Sequence, residues 1–548
     1  MTATVLPFYR VQITTRRPAM SAARSTALLC LCLLLPAQPP RAGPIQPAPP
    51  AASAATASAA PAPASLWLAG DAAQARQAVA LLEAAAEHGL DPAHYRAAEL
   101  AQALAAPRGP DADAALARAL DGAMLRYLAD LHGGRAPLAY RAGTPAPPWD
   151  AAAVLGAALR GGRLAQAVEE AAPAIPLYAR VRAGLARYRA LAQAHPDWPP
   201  LPPPGPAGTT PGAAYPGAAL LRERLRLLGD LAPGDEPGGE AQYGEQDGEQ
   251  DQAQDGVVPA QALARFQARH GLVPDGVPGP LTLAALAVPP ARRAVQLGLT
   301  LERLRWLPAL APGPMVAVNL PAYRLWAFDS RDAAAAPLEM RIIVGKAAAA
   351  PTPLFVGTLR YLELNPYWNV PHSIAVKEIL PRLARQPGYL RGNDMEIVDA
   401  SGRVLPAAGP AALAAVRAGT ARIRQRPGPR NVLGALKFAM PNPMDIYLHA
   451  TSAQELFARS RRDLSHGCIR VEAPLALAQF VLADPARWNG AALEAAIRSG
   501  RTRTLNLPAP VPVVLFYATA VADRAGRVLF ADDIYGLDPA LERALAAP

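Results

Sequence analysis

The sequence predicts a multidomain α+β protein: a helical N-terminal half, a small three-helix module, and a mainly β C-terminal domain with an inserted helical lid. Three observations predict it. The chain has 548 residues, too many for one ordinary domain. Its apolar residues recur every three or four positions up to about residue 310 and alternate in twos beyond it. Proline-rich stretches punctuate the helical part, as linkers between folded units do.

Residues 1–42 read as a signal peptide. Arg16, Arg17 and Arg24 precede the apolar run Ala27–Leu35, which is too short to span a bilayer comfortably. Small residues follow, with Ala42 as a cleavage point and Met20 as an alternative start. Cys30 makes a poor lipidation site because Leu28 and Leu29 stand where small residues are expected. An uncleaved segment would tether the protein to the membrane. Export to the periplasm is the expectation. Residues 43–64, rich in Pro, Ala and Ser, predict a disordered linker.

Residues 65–195 predict a helical scaffold. Ala78, Leu81, Leu82 and Ala85 form one helical face, and Leu116, Leu120, Met124, Tyr127 and Leu131 another, ended by Gly133-Gly134. No catalytic set stands out there. A Pro-rich linker covers 196–217. A three-helix module follows over 218–290, with Leu221, Leu225 and Leu228 on its first helix, Leu263 and Phe266 on its second, and Leu283 and Leu286 on its third. Residues 231–256 are rich in Glu, Asp, Gln and Gly and lack Lys and Arg, which predicts a disordered acidic insert. A helical connector spans 291–313. The β domain covers 314–535, with strands at 315–320, 323–328 and 340–344, Pro321-Ala322 as a hairpin-like turn, and Pro512 at the start of a last strand. Between about 374 and 430 the pattern turns helical and polar again, the expected lid.

The net charge of +10 points to polyanionic surroundings. No Lys/Arg run with interleaved aromatics occurs and no zinc-finger spacing, so nucleic acid is not expected. An anionic envelope suits the charge equally. No nucleotide-binding glycine loop is present, and no cofactor is expected.

Of the three cysteines, removal of the signal would leave Cys468 alone, a reactive thiol rather than half of a disulfide. A thiol attacks as thiolate, so it needs a base and a positive local field. His449 ends the strand-like run 446–449, and His466 lies two residues before Cys468. A histidine on a neighbouring strand end can face the thiol directly, which favours His449 as base and leaves His466 supporting. Gly467 leaves its N–H free and, with that of Cys468, could form an oxyanion hole. Arg470 would favour the thiolate or hold a carboxylate. A zinc site from His449, His466 and Cys468 lacks a fourth ligand, and no metal is expected.

Tyr447-Leu448-His449, fifteen residues, then Ser465-His466-Gly467-Cys468-Ile469-Arg470-Val471 closely resembles the L,D-transpeptidase (YkuD) catalytic domain. Residues 365–371, 427–431, Lys437-Phe438 and 532–535 resemble the larger members that carry a scaffold and a capping lid. The run 266–272 with Asp275-Gly276, Gly279 and Thr282 resembles the peptidoglycan-binding three-helix module. The resemblance implies that Cys468 attacks the third residue of a tetrapeptide stem, releases D-alanine and forms a thioester. An amine on a second stem then resolves it into a 3→3 cross-link. It also implies that Tyr447, Trp368 and Ser465 contact the substrate, that Ala450 orients the base through its carbonyl, and that carbapenems acylate Cys468. The alternative function is an L,D-carboxypeptidase or cysteine peptidase, in which water resolves the thioester. His372 reads as a loop histidine outside the chemistry.

Overall fold

A computed structural model describes residues 64–69, 71–136, 149–204, 210–212, 214–232, 258–406 and 409–547. The expected signal peptide, the linker behind it and most of the acidic insert lie outside the described residues. Among these residues no helix is long and apolar enough to cross a membrane.

The scaffold core is built by helices Ala73–Glu83, Ala97–Ala105, Pro110–Gly133, Ala151–Gly161 and Leu164–Ala171. The sequence stripes meet there: Ala78, Leu82, Leu120, Met124, Tyr127 and Leu131 are buried together. The longest of these helices has proline at its first position, where no N–H partner is lost, and stops at Gly134 with φ +78°. Helix Pro176–Ala194 leaves this core and packs along the connector helix Pro290–Arg305. Their joint core takes in Val181, Leu185, Leu297 and Leu301.

In the three-helix module (Ala218–Leu228, Ala260–Arg269 and Pro280–Ala287) the family-like residues are structural. The buried Gln267 amide donates to Asp275 Oδ1, Val277 O and Thr282 Oγ1 at 2.7, 2.9 and 3.0 Å, and its Oε1 accepts from Gly276 N at 2.8 Å. One side chain thus fixes the turn between two helices. The stretch expected as a Pro-rich linker is not a free spacer in its described part. Leu201 is buried in the module core, Trp198 Nε1 donates to Leu286 O at 2.9 Å, and Tyr215 Oη donates to Pro202 O at 2.6 Å.

The β domain contains β1 (Pro314–Asn319), β2 (Arg324–Asp329), β3 (Leu338–Gly345) and β4 (Phe355–Leu364). Next come β5 (Trp368–Asn369), β6 (Met395–Asp399), β7 (Val404–Leu405) and β8 (Ala421–Gln425). They are followed by β9 (Leu436–Ala439), β10 (Leu448–His449), β11 (Asp463–Ser465) and β12 (Ile469–Val471). The last are β13 (Arg503–Phe516), β14 (Ala520–Ala522) and β15 (Val528–Phe530). The main sheet runs β11-β3-β12-β10-β9-β4-β13-β1-β2, and β2 pairs back with β3. The sheet therefore closes on itself around a core that includes Val318, Leu362, Phe438, Leu448, Ile469 and Val513. Pro512 does not begin the last strand but lies within β13, just beyond the register shift between Asn506 and Val511. It sits opposite Thr358, one residue before pairing with β1 begins at Val513.

The lid is not purely helical as expected. Its short helices, among them Leu380–Arg385 and Pro410–Ala418, pack on a four-stranded sheet β5-β8-β6-β7. Ile379, Leu383, Ile397, Val416 and Ile423 form its own core. The reading missed this sheet because its strands are two to five residues long, too short for alternation to register. The β14–β15 hairpin and the C-terminal helix Asp538–Ala546 belong to no element read from sequence. They fasten the β domain to the scaffold: Ala520 and Phe530 join the connector's core, and Arg303 pairs with Asp538 at 2.5 Å.

Candidate active site

The register of three strands assembles the site. β10 pairs in parallel with β12, setting Leu448 beside Ile469 and His449 beside Arg470. β9 pairs with β10, setting Lys437 beside His449. Leu448, Ile469 and Phe438 point into the core. Because side chains alternate along a strand, His449, Arg470 and Lys437 share the opposite face. Carrying the register back one residue places Tyr447 beside Cys468, and Ile469 N donates to Tyr447 O at 3.1 Å. A spacing of fifteen residues in sequence thus becomes adjacency on one face.

His449 is 4% exposed. Its Nδ1 lies 2.6 Å from Ala450 O. A carbonyl only accepts, so in the neutral ring the proton sits on Nδ1. Burial, together with the charges of Arg470 and Lys437, holds its pKa down to about 3. The ring meets Tyr447 edge-on, with centroids 5.8 Å apart.

Burial pushes the Cys468 thiol above its ordinary value, partly opposed by hydrogen bonding to Tyr447 and the charge of Lys437. The resting site therefore holds a neutral thiol and a neutral imidazole rather than an ion pair. The thiol donates to Asp445 O at 3.6 Å, and no hydrogen bond joins it to His449 among the described residues. Transfer of the thiol proton to any other acceptor would first require Sγ to turn away from Asp445. Lys437 lies 5.0 Å from the Tyr447 ring centre and pairs with Glu363 at 3.3 Å.

The loop before Cys468 departs from expectation in two places. Gly467 N–H is not free: it donates to Ser465 Oγ at 3.2 Å. At φ +110° the loop folds back on itself, and the short serine side chain closes the turn. Ser465, expected at the substrate, is 2% exposed, and its Oγ also donates to Cys468 O at 2.5 Å. It braces the loop from beneath. Among the described residues nothing accepts from the Cys468 N–H, which leaves that donor open. Thr352 and Tyr535 complete the brace. Thr352 Oγ1 donates to Gly467 O at 2.8 Å and accepts from Gly345 N at 2.9 Å, while Tyr535 Oη donates to Gly345 O at 2.9 Å. Tyr535 lies in a stretch singled out from sequence; Thr352 carried no signal, since a lone threonine in a loop has no pattern.

Among the described residues the buried Nε of Arg470 has no hydrogen-bond partner, and Arg470 and Cys468 are close enough to interact electrostatically. Trp368, on β5 of the lid, lies close to the Tyr447 side chain, which in turn neighbours Cys468. His466 turns outward, and its Nε2 meets Glu378 Oε1 of the lid at 2.6 Å. His372 caps the lid helix Pro410–Ala418 instead, with Nε2 at 3.1 Å from Val416 O. Residues 365–371 and 427–431 form the two stems of the lid, joined where Asn431 Nδ2 donates to Pro366 O at 3.0 Å.

A thiol and a buried imidazole on one sheet face, roofed by an inserted lid, agree with the family matches. Residues 313–512 match the L,D-transpeptidase catalytic domain (YkuD), residues 59–185 a scaffold domain, and residues 220–286 a "Putative peptidoglycan binding domain". The chain thus carries an L,D-transpeptidase (YkuD) catalytic domain, preceded by a scaffold domain and a peptidoglycan-binding-type domain. Among curated proteins it is similar to a "Putative L,D-transpeptidase" of Haemophilus influenzae (strain ATCC 51907 / DSM 11121 / KW20 / Rd), 33% identical over 243 residues. That match covers 44% of this chain and 48% of the relative, so the chain spans about half the length of that protein. A solved L,D-transpeptidase fragment (residues 123–326) from Xylanimonas cellulosilytica DSM 15894 is 16% identical. It aligns over 57% of this chain and 100% of its own, at a TM-score of 0.17, too low to bear on the fold.

Proposed function

We propose that the protein is a periplasmic L,D-transpeptidase that forms 3→3 cross-links in peptidoglycan through a thioester on Cys468, and so serves cell-wall biogenesis. The observation that carries this reading is the strand register that sets Cys468 on the same sheet face as a buried, neutral His449 fixed by the carbonyl of Ala450. His449 takes the thiol proton as Sγ attacks the carbonyl of the third stem residue. The Cys468 N–H receives the developing oxyanion. The proton passes to the leaving amine as D-alanine departs. The amine of a second stem then attacks the thioester, gives up its proton to His449 and regenerates the thiol. The fixed Nδ1–H···O=C bond to Ala450 keeps the acceptor nitrogen toward the chemistry throughout. Arg470, a cation on the same sheet face as Cys468, suits a carboxylate of the stem.

Incubation with purified tetrapeptide muropeptides tests the reading. Dimers with a 3→3 bond and free D-alanine are the expected products. Tripeptide monomer without dimer would replace it with the hydrolytic alternative, an L,D-carboxypeptidase. Fractionation of cells should place the chain in the periplasmic fraction; recovery in the cytosol would contradict the location.

A further inference from the structure

The lid has a core of its own that does not merge with the core of the closed sheet. Its stems are joined by Asn431. Beyond them, among the described residues, one hydrogen bond crosses from residues 370–424 to the body beneath: the 2.6 Å contact between Glu378 Oε1 and His466 Nε2. Glu378 sits in Ala375–Ile379, a π-helical turn between two short helices, a widened geometry that is rare and recurs at functional sites. Arg382 lies 3.8 Å away and steadies the same carboxylate. The contact falls two residues before Cys468. On the other side of the thiol, Trp368 of the lid lies close to Tyr447. The nucleophile is thus bracketed by the lid at its root and at its far turn.

We propose that Glu378 is a positioning residue: with His466 it latches the lid over Cys468 and sets how often the mouth opens to a stem peptide. The proposal rests on the reading of Cys468 as nucleophile, but the latch itself can be read without turnover. Both side chains are more than a third exposed, so solvent screens the pair and the latch is weak enough to open. A lid held shut by one such bond admits small molecules more readily than large ones.

The test compares wild type with Glu378→Ala and Glu378→Gln in the full-length protein. Cys468 is labelled with iodoacetamide or with a polyethylene-glycol maleimide and quantified on its own peptide. Hydrogen exchange is followed over residues 372–392. Loss of an exposed pair of this kind should raise the bulky-maleimide rate about two- to five-fold, with the iodoacetamide rate changing less and lid exchange quickening. Glu378→Gln, which still accepts a hydrogen bond from Nε2, should fall between. An unchanged ratio of the two labelling rates together with unchanged exchange would overturn the latch. Equal slowing of both reagents would also overturn it, since Glu378 would then act on the thiol itself. Carbapenem acylation of the wild type, measured in parallel, separates the two claims: adduct formation without a latch response removes the latch alone, and a latch response without an adduct removes the nucleophile reading alone.

Discussion

The strand flank and the lid flank of Cys468 each offer a histidine, and their surroundings assign them different work. On the strand side, His449 is fixed by its neighbour's carbonyl, buried, and held neutral. On the lid side, His466 is half exposed and pairs with a carboxylate on a separate subdomain. Burial with a backbone partner makes a base of defined tautomer; exposure with a charged partner makes a reversible tie. On the reading proposed above, the same residue type serves chemistry on one flank and access on the other, and the difference lies in what surrounds each ring.

Breaking the strand flank should have the largest effect. His449→Ala is expected to slow acylation of Cys468 by about 10²- to 10⁴-fold, the usual contribution of a positioned acid–base group, with folding checked by circular dichroism. Acid should break it next. His449 and His88 are both held down to about 3, His449 chiefly by burial, His88 by burial with Arg182 and Arg305 nearby. The unfolded chain binds protons at the ordinary imidazole value of 6.5, and it then holds more protons than the native state. Stability therefore rises with pH across that interval. It is fully present above 6.5 and is lost as pH falls toward 3, so the melting midpoint should drop steadily over that range. A midpoint flat from pH 7 to 4 would contradict neutral burial.

Smaller effects sharpen the contrast. Thr352→Val removes the bond to Gly467 O and leaves the buried Gly345 N–H without its acceptor, which should destabilise by about 1–3 kcal/mol in chemical denaturation. The smallest effect is expected of Lys437→Ala. Burial already pushes the Cys468 thiol up, and Lys437 pulls it back, so the midpoint of pH-dependent alkylation should move higher still. A downward shift would mean that the lysine does not act on the thiol.

Much of this was legible in sequence, and the reasons differ by region. The run 446–449 was readable as a strand ending at His449, but the alternation that puts His449, Arg470 and Lys437 on one face appears only with the pairing of β9, β10 and β12. The scaffold stripes from Ala78 to Leu131 were readable because long helices repeat their pattern several times. The lid sheet was not, since strands such as Trp368–Asn369 carry no period. Neither was the partnership of His466 with Glu378, which lie 88 residues apart and are brought together only by the fold of the insertion. Gly467 was read as leaving its N–H free because sequence shows the glycine but not the turn; at φ +110° the peptide bonds Ser465 instead. Chain order likewise concealed that the last elements, β14–β15 and Asp538–Ala546, return to the scaffold.

The central claim is that Cys468 alone is the nucleophile. Intact-mass spectrometry of wild type and Cys468→Ala after incubation with a carbapenem addresses it most directly. The account predicts one acyl adduct on the wild type, mapped to the Cys468 peptide, and none on the alanine variant. An adduct that persists on Cys468→Ala, or that maps elsewhere on the wild type, would contradict it.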